Sequence, residues 1–155
     1  MNKYESLVDA AANAGADVVD YSFSSPRIKG LYHDGVIAIS KQIKTTAEKA
    51  CVLAEELGHY ETSSGDILDL TNVTNRKQEY RARILAYEKL VGLMGIVSCH
   101  RAGCRNIYEM ADHLEVSEEF LVDALAYYHN KYGQHAEINN YAIFFEPALA
   151  VLERM

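Results

Sequence analysis

Tryptophan is absent, proline occurs twice and cysteine three times among 155 residues. So few cysteines, and an odd number of them, make no disulfide framework and place the chain in a reducing cytoplasm. No apolar run approaches the roughly 20 residues needed to span a bilayer. The N-terminal Met1-Asn2-Lys3-Tyr4-Glu5 lacks the apolar core of a secretory signal. An excess of basic residues is missing too. Lys and Arg number 15 against 22 Asp and Glu, a formal charge of -7 that argues against broad phosphate-backbone binding. There is no internal repeat and no low-complexity linker. What remains is ordinary for a soluble globular domain, 49% hydrophobic and 24% charged, which excludes disorder as the dominant state.

The most informative stretch is Cys51-Val52-Leu53-Ala54-Glu55-Glu56-Leu57-Gly58-His59-Tyr60. Ala50, Leu53, Ala54 and Leu57 form an apolar stripe at helical spacing, and Thr45 with Glu48 fits a capping box, so a helix over residues 46–60 is predicted. Glu55 and His59 are four apart and project from one face, with Glu56 between them. This is the layout of the zinc-peptidase helix His-Glu-x-x-His, with Glu in place of the first His. Two side chains one turn apart can grip one metal, and the intervening Glu can take a proton from water. A buried carboxylate is costly unless paired, hydrogen-bonded or metal-bound, which makes Glu56 at the edge of the apolar stripe a candidate functional group.

Around this helix the chain reads as α+β. A first helix is expected over residues 4–14, stopped by Gly15. A Ser-rich loop follows, then a hairpin whose strands, 28–32 and 36–39, flank His33-Asp34-Gly35. Residues 61–66 read as loop and residues 75–93 as a long helix weakened at its far end by Gly92 and Gly95. Two shorter helices are expected over 106–114 and 118–131, the second capped by Ser117 and ended by Gly133. A strand over 141–145 and a final helix opened by Pro147 complete the pattern. Helices dominate, with one small antiparallel sheet.

A metal on Glu55 and His59 needs a third protein ligand, for which the long helix offers Glu79 and Glu88. Ala82 and Ala86 lie on the face of Glu79 and allow close helix approach, which favours Glu79. Cys99, His100, Cys104 and His113 do not match the spacing of a zinc finger. Tyr60, Tyr80 and Tyr87 are candidates to donate a hydrogen bond to an oxyanion, although tyrosines more often pack. Residues 106–132 resemble a helix-turn-helix, but the second helix opens with Glu118-Glu119, which should repel phosphate. Nucleic acid is therefore disfavoured as a partner.

The hairpin, the helix ending Glu55-Glu56-Leu57-Gly58-His59, the loop Thr62-Ser63-Ser64-Gly65-Asp66 and the downstream Glu79-x-x-Ala82-x-x-Leu85-Ala86 together resemble the ImmA/IrrE-type metallopeptidases of bacteria, phages and other mobile elements. The resemblance is good over residues 28–132. It implies one domain, a helix-rich zincin-like core over 1–97 followed by a C-terminal helical, helix-turn-helix-like subregion over 98–155. It also implies a metal-dependent endopeptidase that cleaves a partner protein, a repressor encoded beside it. Carried over by position, Glu56 is the general base and His59 a metal ligand. Glu79 is then the third ligand, and Glu55 stands where the first His belongs. The resemblance implies zinc, while two carboxylates and one imidazole make a harder donor set that also accepts manganese or iron. The alternative, supported by loss of the first His, is a catalytically degenerate protein-binding module on the same fold.

Overall fold

The computed structural model describes residues 1–62 and 72–155, with the side chains of 72–75 left aside. Among the described residues the chain forms six helices and six strands, dividing into two compact units, residues 1–86 and 87–155.

In the first unit, helix α1 (Lys3–Asn13) opens on a capping box. The Asn2 side chain accepts from the Glu5 N–H at 2.8 Å while Glu5 reaches back to the Asn2 N–H. Strands β1 (Asp17–Tyr21), β2 (Gly30–His33) and β3 (Val36–Ser40) follow, in the spatial order β1-β3-β2. The hairpin β2-β3 turns at Asp34-Gly35, both with positive φ, as the Asp-Gly pair predicts. β1 pairs parallel with β3, Val18 opposite Ile37. The sheet is therefore mixed rather than antiparallel. Ile37 and Ile39 of β3 are fully buried and face the core.

Helix α2 (Thr46–Thr62) supplies the rest of that core. Ala50, Leu53, Ala54 and Leu57 are all buried, as their spacing requires. Thr45 Oγ1 accepts from the Glu48 N–H at 3.1 Å, while the Glu48 carboxylate pairs with Lys29 at 2.6 Å. The helix continues through Glu61 and Thr62, two residues expected in a loop; the remainder of that loop lies outside the described residues.

Helix α3 (Asn72–Leu90) stops earlier than the pattern suggested. Gly92 adopts φ +64°, and α4 (Gly92–Arg101) begins a new helix there. Because the apolar residues run on through Leu90, Val91 and Leu93, hydropathy conceals this break. The division between the two units falls within α3.

The second unit holds α4, α5 (Ile107–Leu114), α6 (Glu118–Tyr132) and a sheet of β4 (His135–Ile138), β5 (Tyr141–Phe144) and β6 (Ala150–Glu153), all antiparallel in sequential order. Asn106 caps α5 through the Glu109 N–H, and Ser117 caps α6 through the Phe120 N–H. The final helix expected after Pro147 is instead strand β6. Ala150 to Glu153 complete the edge of β5, so ladder pairing decides their conformation. Among the described residues the chain thus carries two small sheets where one was expected. Leu121, Ala124, Tyr128 and Ile143 are fully buried in this unit, and the Tyr128 hydroxyl accepts from the Gly92 N–H at 3.1 Å.

Candidate functional site

Glu55, Glu56 and His59 lie on the C-terminal half of α2, each half-buried. Two close approaches fix that half of the helix. Gly58 lies against Ala82 of α3 so tightly that a Cβ on Gly58 would sit 2.4 Å from the Ala82 carbonyl oxygen. Ala82 and Ala86 are buried, so the alanine face does bring α3 close to α2, as read from the sequence. Beyond His59, the Tyr60 hydroxyl donates to the Ala14 carbonyl at 2.5 Å and the ring meets Tyr32 edge-on. Tyr60 is thereby committed to holding the helix end.

The second approach is strand β2 over Glu56. A Cβ on Gly30 would come within 2.7 Å of Val52 Cγ1, 3.0 Å of Glu56 Cγ and 3.2 Å of Glu56 Oε1. Only glycine lets the strand lie this near the carboxylate. The Tyr32 backbone N–H, two strand positions on, donates to Glu56. Burial nevertheless pushes the Glu56 carboxyl up to about 7, helped by the neighbouring carboxylates of Glu55 and Glu79 and opposed by the Tyr32 N–H. Burial holds His59 below its ordinary value, with Glu79 opposing. The charge of Glu79 thus reaches both Glu56 and His59, although Glu79 itself is exposed. The exposed Glu88 acts instead on Tyr128.

Glu55 has a different neighbour. Its Oε1 lies 3.8 Å from Nε of Arg83, an ion pair open to solvent on both sides. Among the described residues, no three His, Cys, Asp or Glu side chains converge on a point that a metal ion would occupy. The donor types nonetheless suit a divalent cation: Glu55 and Glu79 act on Glu56, adding to the effect of its burial, and Glu79 acts on His59.

Three contributors escaped the sequence reading: Gly30, the Tyr32 N–H and Arg83. Gly30 carried a signal, since a glycine inside a strand pattern marks close backbone approach. The backbone donor and the long Arg83 side chain carried none. Of the other residues weighed, His33 is exposed at the end of β2, Tyr80 is exposed, and Tyr87 is buried against Phe120. His113 pairs with Ser98 at 2.8 Å. Glu118, Glu119 and Asp123 are all solvent-facing or nearly so on α6. No helix among the described residues is long and apolar enough to cross a membrane.

No curated protein matches the chain at a significant level. A family model does: Peptidase_M78, described as the IrrE N-terminal-like domain, matches residues 11–126. That span takes in α2 and its paired acidic residues, the hairpin above them and the whole of α3. A mixed α and β fold that presents Glu-Glu-x-x-His beneath a hairpin, matched over three quarters of its length, belongs to the metallopeptidase-type Peptidase_M78 family.

Proposed function

We propose that this chain is a metal-dependent endopeptidase acting in the cytoplasm on a partner protein. The repressor of a phage or other mobile element is the substrate that the family resemblance suggests. Glu55, His59 and Glu79 are assigned to hold the cation, zinc first, with manganese or iron accommodated by so carboxylate-rich a set. The observation that carries the reading is the setting of Glu56. Its carboxylate lies directly under Gly30 on an outer strand, takes the Tyr32 N–H, and has His59 on the next turn of the same helix.

When bound by these residues, the cation would supply Lewis acidity to a water and to the scissile carbonyl. Glu56 removes the proton from the attacking water and delivers it to the departing amine. The Tyr32 N–H holds the carboxylate in one orientation while it does so. In the order β1-β3-β2, one edge of β2 has no strand beside it among the described residues, and an extended substrate segment pairs its backbone there. Elemental mass spectrometry on untagged protein tests the assignment. Near-stoichiometric zinc, manganese or iron is expected, and its loss in His59→Ala. Unchanged metal in that variant would refute the ligand set. Glu56→Gln is expected to keep the metal and lose cleavage of the partner.

The ion pair between Glu55 and Arg83 favours a second reading, a non-catalytic protein-binding module. An arginine beside a ligand position competes with a cation for the carboxylate. Glu55→His separates the two: metal binding that appears only in this variant identifies the natural chain as the binding module.

A further inference from the structure

Helix α4 ends in a Schellman motif. Gly103 takes φ +80° and its N–H donates to the His100 carbonyl at 3.0 Å, while the Cys104 N–H donates to the Cys99 carbonyl at 3.0 Å. These are the 5→2 and 6→1 bonds of that motif, which brings the side chain at its first position against the one at its sixth. In most proteins that contact is between two apolar residues. Here both are cysteines, and Cys104 stands near enough to the Cys99 thiol to act on it. Each is also directed at a backbone carbonyl of α5, Cys99 at Met110 and Cys104 at Glu109.

We propose that Cys99 and Cys104 are an oxidisable dithiol, joined by peroxide into a disulfide that staples the C-terminus of α4. A disulfide needs its two Cα atoms within about 4.4–6.8 Å of one another, and the direct bond from the Cys104 N–H to the Cys99 carbonyl draws these two backbone positions together. The two thiols differ in access. Cys99 is buried, and burial first, then Cys104, push its thiol up to about 12, so it is a poor first nucleophile. Cys104 is half-buried and lines a cavity of about 270 Å³ that also presents His100 and Arg105, large enough to admit a peroxide molecule.

The chemistry balances with hydrogen peroxide as the sole oxidant. The Cys104 sulfur attacks one peroxide oxygen, the O–O bond breaks, and hydroxide leaves and is protonated to water. Cys104 is then a sulfenic acid. The Cys99 sulfur attacks that sulfur, the S–O bond breaks, and the departing hydroxide takes the Cys99 proton as a second water. Two thiols have lost two electrons and two protons, and peroxide has become two waters. A thiol reductant reverses the change.

The experiment treats the native protein with hydrogen peroxide, then unfolds it in the presence of iodoacetamide and digests it with trypsin. Cleavage after Arg101 separates the two cysteines into residues 90–101 and 102–105. The expected result is a fall in alkylated cysteines from three to one, with those two peptides linked and Cys51 labelled. Dithiothreitol should restore all three. Three labelled cysteines after peroxide, or a link that includes Cys51, would overturn the proposal. In Cys99→Ser, dimedone should trap a sulfenic acid on Cys104; its absence would overturn the order of attack.

Discussion

Replacing Glu56 with Gln removes a charge that the fold holds at a cost, and that cost has a predictable pH dependence. In the metal-free protein the carboxyl rises from its ordinary 4.5 to about 7. Below pH 4.5 the group is neutral in the folded and unfolded chains alike and costs nothing. Between 4.5 and about 7 the unfolded chain releases its proton while the folded chain keeps it, so stability falls as the pH rises. Above 7 the penalty is complete. A shift of this size corresponds to a ceiling of about 3 kcal/mol. Glu56 is only half-buried, and solvent at its rim reduces the expected effect to about 2 kcal/mol. Gln keeps the acceptor for the Tyr32 N–H and loses the repulsion from Glu55 and Glu79. In a chelator-treated sample, Glu56→Gln should therefore be more stable than the natural chain by about 2 kcal/mol at pH 8. Urea unfolding should show this difference disappearing by pH 4.5. An equal difference at both pH values, or a less stable variant at pH 8, would show that burial and neighbouring charge do not act on Glu56 as described.

Gly58→Ala should destabilise the protein by about 2 kcal/mol. The added Cβ meets the Ala82 backbone, which cannot turn aside, and this outweighs the gain of about 1 kcal/mol in helix propensity. A stabilised variant in thermal unfolding would show that α2 and α3 separate freely there. Asn106→Ala should cost about 1 kcal/mol and Asn106→Gly less, since the side chain caps α5 at 2.8 Å; equal losses by denaturant titration would argue against the cap.

Local signals account for most of what the sequence revealed. The buried stripe of α2, the Asp34-Gly35 turn, and the caps at Thr45 and Ser117 all depend on residues a few positions apart. The close packing of Ala82 was legible for a similar reason, because helical spacing places it on a face with Ala86. Strand β1 was hidden because Asp17-Val18-Val19-Asp20-Tyr21 is largely exposed and shows no alternating burial; its structure comes from parallel pairing with a distant strand. β6 was misread because Pro147 is as good an opening for a helix as for an irregular turn. In the candidate site, Glu55, Glu56 and His59 were legible from their spacing on one helix. The salt bridge from Arg83 to Glu55 was not, since the reach of a flexible side chain leaves no periodic trace.

Gly30 would attract little notice in a survey of the surface: a half-exposed glycine near the start of a short outer strand, with no chemistry of its own. Yet a single methyl group there would displace Val52 and press on the carboxylate of Glu56. Tolerance to substitution at this position is thus governed by the functional group beneath it rather than by the strand that contains it. A library of random variants sorted for protein that folds but does not cleave its partner should be enriched in changes at Gly30. If variants at Gly30 are as active as the unchanged chain, the hairpin does not constrain Glu56.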